Sequence, residues 1–77
     1  MLSATHANPI DRHVGHRVRA RRNEVSMQSG TLAAILGISQ IELCRREAGR
    51  ARFSAAQLFA ITAALKAPIG AFFVGLG

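Results

Sequence analysis

Tryptophan and tyrosine are absent from this chain of 77 residues, and cysteine occurs once, as Cys44. A single thiol excludes an intramolecular disulfide and any metal site built on paired thiolates, and it suits a reducing cytosol. Proline occurs twice, at Pro9 and Pro68, so long helical stretches run uninterrupted between them. No apolar run approaches the roughly 18 residues of a membrane span. The opening MLSATHANP lacks a basic start followed by an apolar run, so no signal peptide is expected and a cytoplasmic location is. Acidic residues are also scarce. Four of them face ten Lys and Arg, which leaves a formal charge of +6. The length allows one small domain and no separate catalytic domain. A chain this short cannot shield a nucleophile and a general base in a pocket, so neither an enzyme nor a cofactor is expected.

What is present is helical periodicity. Residues 1–8 show none and are expected to form a flexible arm, with the domain proper at 9–77. Asn8-Pro9 reads as a helix start, with Asp11 in the first turn where the helix dipole favours negative charge. Ile10, Val14 and Val18 form an apolar stripe at i, i+4, i+8 on a helix expected from Pro9 to about Glu24. A second helix begins after Met27 or Gln28 and ends at Leu36, with Leu32, Ile35 and Leu36 inside. Gly37 stands where a left-handed residue is wanted. Ser39 is a good cap for a third helix from Gln40 to about Glu47, with Glu42 completing a capping box. Ser54 caps a fourth helix carrying Leu58, Ile61 and Leu65, which Pro68 stops. Gly70–Val74 is expected to form a short fifth. The expected fold is all-α: a compact bundle of five helices.

The centre of the chain, Gln28 to Gly49, carries the functional signal. Two short helices crossing steeply need a small residue at their contact, here Ala33, and a positive φ in a tight turn, here Gly37. Leu32, Leu36, Ile38 and Leu43 face a shared core. This is helix-turn-helix spacing in a strongly basic chain, which points to double-stranded DNA.

LAAILGIS, followed by a short helix ending REAG, resembles the lambda-repressor-like family, the Xre or Cro group. VGHRVRARR before it and FSAAQLFAITAALKAPIGAFF after it resemble the same family. The resemblance covers about residues 8–75. It implies five helices, with the third in the major groove, and a homodimer on a pseudo-palindromic operator, most often for repression. Carried over by position, Gln40, Ile41, Cys44 and Arg45 are base-facing. Gln40 suits adenine, Arg45 suits guanine O6 and N7, and Ile41 suits a thymine methyl. Gln28 and Ser29 open the second helix in the reverse of the family's Ser-Gln order, so Ser29 takes the place of a phosphate-binding glutamine. Ser39 lies at the turn beside them. Arg22 pairs with Glu47 in the family pattern and is also a candidate phosphate contact. Arg50 and Arg52 approach phosphates after the third helix. Three positions depart from the pattern: Glu42 is acidic near the DNA, Arg46 replaces an apolar residue, and Lys66 replaces a common glycine. Glu42 serves either as the cap partner or as an acceptor for cytosine N4.

Other residues read more plainly. His13 and His16 share a helical face but lack a third ligand, so solvated or phosphate-facing roles are expected rather than a metal. About half the first-helix arginines are expected on phosphate. Cys44 reads as a small residue near a base rather than a redox switch. Phe53 is expected to pack a loop on the core, and Phe72, Phe73 and Val74 to supply core and dimer seam. The departures leave a second reading: an interaction module, such as an antitoxin or a co-regulator acting with a partner protein. A third is a nonspecific nucleoid-type protein, and no reading involves a membrane.

Overall fold

Asn8 caps the first helix: its side chain accepts a hydrogen bond from the Asp11 amide at 2.7 Å, which replaces a partner the first helical turn lacks. The computed structural model describes residues 8–75. Residues 1–7 of the expected arm therefore lie outside the described residues. Four α-helices follow in order: α1 Pro9–Glu24, α2 Ser29–Leu36, α3 Gln40–Glu47 and α4 Ala55–Leu65. A 3₁₀ turn at Ile69–Phe72 closes the described chain.

The expected fifth helix is that single turn. Pro68 sets its entry, Gly70 sits inside it, and it has no side-chain cap. So short a segment cannot offset the cost of nucleating an α-helix. α4 is better specified: Ser54 and Gln57 form a reciprocal capping box. It ends at Leu65 because Lys66 turns left-handed, with φ of 53°.

Val14, Val18, Leu32, Ala33, Leu43, Phe53, Ile61, Leu65 and Phe72 form the core, so all four helices, the α3–α4 loop and the final turn contribute. Phe53 and Phe72 are buried as expected, whereas Phe73 and Val74 are exposed. Two stripe assignments fail. Ile10 is 53% exposed and Ile35 50% exposed. Ile10 lies in the first turn, beyond the reach of the core, and α2 is only two turns long, so Leu32 and Ala33 fill its contact face.

α1 holds the C-terminal segment through one polar face. His13 Nε2 donates to the Val74 carbonyl, Arg17 Nε to Ala71 at 3.3 Å, and Arg21 Nε to Leu65 at 2.9 Å. Arg21 Nη2 also reaches the Lys66 carbonyl at 3.2 Å. Arg21 thereby satisfies carbonyls left open where α4 ends, while His13 and Arg17 hold the segment that follows. The solvated or phosphate-facing role expected of His13 gives way to this one. Among the described residues, no helix is long and apolar enough to cross a membrane.

Candidate nucleic-acid interface

The turn between α2 and α3 is tight because Gly37 adopts φ of 71°. Its amide bonds the Ala34 carbonyl at 3.1 Å, and the Ile38 amide bonds the Ala33 carbonyl at 3.0 Å. Ala33 is 3% exposed, and its small side chain lets the turn fold back over α2. Ser39 Oγ then accepts from the Glu42 amide at 3.1 Å and starts α3.

Leu43 and Glu47 turn inward and anchor α3 to the core. The opposite face presents Gln40, Ile41, Cys44 and Arg45, which with Ala48 and Arg50 line one shallow surface concavity. Ile41 is 74% exposed, an apolar side chain held in water. Cys44 is a free, exposed thiol. The four residues expected to face bases therefore share one open surface.

One hydrogen bond joins the start of α2 to this face, and other polar side chains flank it. Gln40 Nε2 donates to Ser29 Oγ at 2.7 Å, so the short Ser29 still supports Gln40. Gln28 is exposed at the cap position of α2 and makes no side-chain cap bond. Arg50 is exposed, its amide tied to the Arg45 carbonyl at 2.8 Å. Arg52 is exposed as well, and its Nε bonds Asp11 Oδ1 at 3.0 Å.

Arg22 has a different place from the one expected for a phosphate contact. It is 8% exposed. Its Nε and Nη2 donate to the two Glu47 oxygens at 2.8 and 3.1 Å, and its Nη1 donates to the Met27 carbonyl at 2.9 Å. The hydrogen bond to Glu47 raises the guanidinium pKa, and burial opposes it. Arg22 is thus a strut that ties α1, the α1–α2 turn and α3 together.

Glu42 also departs from expectation. Ser39 accepts its amide, but the Glu42 carboxylate does not return to Ser39, so the capping box is half formed. Oε2 instead accepts from Arg45 Nη1 at 3.0 Å, and Oε1 accepts from Arg46 Nη1. These bonds, Arg46 first and then Arg45, hold the carboxyl below the usual carboxylate range. Spacings of i+3 and i+4 on a helix signal this cluster in the sequence. No comparable signal announces the Asp11–Arg52 pair, whose members lie 41 positions apart. Among the described residues, no three His, Cys, Asp or Glu side chains gather in a metal-ligating group.

An exposed helix behind a glycine turn and a preceding short helix define a helix-turn-helix domain. No family model matches the chain. An uncharacterized transcriptional regulator in the ATPase CF(0) region of Rhodospirillum rubrum is 43% identical over 67 residues, covering 87% of this chain and 62% of that protein. HTH-type transcriptional regulators of Sinorhizobium medicae and Rhizobium meliloti are 39% identical over 66 residues, covering 86% of this chain and 48% of each. The chain thus spans about half to three-fifths of the length of these relatives. The clp gene regulator ClgR of Corynebacterium glutamicum superposes with a TM-score of 0.80 at 22% identity, over 87% of both chains. The restriction-modification controller protein C.AhdI of Aeromonas hydrophila superposes with a TM-score of 0.73 at 22% identity, over 80% of this chain and 94% of that one. The chain shares the helix-turn-helix fold of these structural neighbours and is similar in sequence to the HTH-type regulators, as its residues lead one to expect. These relatives and structural neighbours are regulators rather than enzymes.

Proposed function

We propose that this domain binds double-stranded DNA for a bacterial transcriptional regulator in the cytoplasm. α3 enters the major groove, and two copies bind a pseudo-palindromic operator as a repressing homodimer. The observation that carries this reading is the open face of α3. Gln40, Ile41, Cys44 and Arg45 stand together there, uncommitted to the core, beside an exposed Arg50. A long amide, an apolar tip and a guanidinium are the side chains that read base edges in the major groove. Ser29, held against Gln40, and the flanking Gln28, Ser39, Arg50 and Arg52 supply polar and basic groups for the phosphates around it. The relatives' names as regulators support the same assignment.

The test is recovery of bound fragments from pooled genomic DNA at near-physiological salt, followed by sequencing. A palindromic motif with half-sites about one helical turn apart is the expected result. A flat profile overturns specific recognition and leaves the nonspecific and partner-dependent readings.

A further inference from the structure

The reading helix carries its own negative charge, which DNA binding by itself does not explain. Glu42 lies in the first turn of α3, and its two carboxylate oxygens hold two different arginines. The arginines are unequal. The Arg46 side chain is 20% exposed and also leans on the Glu42 carbonyl at 3.5 Å, while the Arg45 side chain is 51% exposed and lines the reading face. Arg46 therefore stays with Glu42 when Arg45 leaves, and the carboxylate is never stranded without a counter-ion. Arg45 is the exchangeable member, held ready at the surface where the DNA arrives.

We propose that Glu42 is a specificity-determining residue: it aims Arg45 at base edges and works against phosphate at the same surface. This inference rests on the DNA-binding reading above. A phosphate carries a full negative charge, whereas guanine O6 and N7 carry partial ones. A carboxylate one hydrogen bond from Arg45 repels the phosphate more strongly. Nonspecific binding sets the protein against the backbone, so Glu42 weakens that mode more than the seated one. This is discrimination by a built-in repulsion rather than by an added contact. Its depressed pKa keeps the group ionised through the neutral range. With both oxygens already bonded to arginines, Glu42 is occupied in a way that disfavours the cytosine contact.

The experiment compares wild type, E42Q, R45A and the double variant on a random-sequence duplex and on the fragment recovered by selection. E24Q is the control for losing one exposed acid, since Glu24 pairs with Arg21 beside the C-terminal turn. Circular dichroism establishes that each variant is folded. E42Q is expected to bind the random duplex about three- to tenfold more tightly and to gain less on the selected fragment, so selectivity falls. Most of that gain is expected to vanish when Arg45 is alanine, and E24Q is expected to change binding by less than about twofold. Equal gain on both duplexes, an undiminished gain without Arg45, or no gain at all overturns the inference. A wild-type protein that binds no duplex at low salt overturns the DNA-binding reading and the inference with it. Binding by wild type matched by E42Q overturns the role of Glu42 alone.

Discussion

Glu47 carries a full charge into a site where its side chain is 4% exposed, and Arg22 neutralises it with two nitrogens. Removing one member strands the other, which costs about 3–5 kcal/mol in buried pairs. The whole stability of a chain of 77 residues is on the order of 4–12 kcal/mol. Glu47→Ala is therefore expected to remove about half of the folding free energy, and Arg22→Met/Glu47→Leu together to recover much of it, as read by urea titration. A double variant as unstable as the single one would show that the ions themselves, rather than their mutual compensation, hold α1 to α3. On the open face the stake is recognition. Arg45→Ala is expected to relax one base position by about 1–3 kcal/mol in competition binding, and a uniform loss across sequences would rule out a base contact by Arg45. The Arg22–Glu47 pair was legible only through family resemblance, because its members lie 25 positions apart and sequence spacing does not bring them together. Resemblance also left Arg22 on the phosphate side, since the strut and the phosphate contact use the same residue type. Burial is what separates them.

At the scale of helices, α1 and α3 approach so closely that a Cβ on Gly15 would lie 2.4 Å from the Arg46 carbonyl and 2.5 Å from that of Glu47. Both obstacles are backbone, so neither can swing aside. Gly15→Ala is expected to cost about 1–3 kcal/mol by prising α3 from α1, with a matching fall in the urea midpoint and weaker DNA binding. An unchanged midpoint would mean that the helices slide apart freely. At the end of α4 the opposite change should help. Lys66 is held at φ of 53°, where a side chain costs about 1–2 kcal/mol, while glycine's extra chain entropy costs roughly 0.5–1. Lys66→Gly is expected to stabilise by about 0.5–1 kcal/mol, since the Arg21 bonds to Leu65 and Lys66 use backbone carbonyls and survive. A lower melting temperature would show that the lysine side chain contributes more than its backbone conformation costs. The four helices were legible because caps and stops mark them: Asn8 and Ser39, Gly37 and Ser54 stand at their edges. Ile10 and Ile35 were misplaced because periodicity tells which residues share a face, not how far the neighbouring helices extend along it.

Across the whole molecule, each of the four acids is paired with arginine: Asp11 with Arg52, Glu24 with Arg21, Glu42 with Arg45 and Arg46, and Glu47 with Arg22. The excess of six positive charges is therefore not screened by stray carboxylates and is available to a polyanion. Size bears on how two copies would use it. The domain measures 37 × 29 × 20 Å. Half-sites one turn apart lie about 34 Å from centre to centre, so two domains seated on such sites meet edge to edge with little room between. Whichever edge meets must be self-complementary, because a two-fold axis sets the same patch against itself. The C-terminal segment offers exposed apolar side chains for that purpose, with Ile69 49%, Phe73 38% and Val74 59% exposed. It is fastened to α1 by His13, Arg17 and Arg21, away from the concavity on α3. A charge placed at this seam should separate the copies without touching the reading face. Val74→Asp is expected to shift sedimentation from dimer to monomer and to lower affinity for the full palindrome by about tenfold or more, while a single half-site is bound as by wild type. Loss on the half-site as well would place Val74 in the folding of the domain rather than between two of them. A dimer that persists would move the seam to Phe59 on α4, which at 77% is the most exposed large apolar side chain among the described residues.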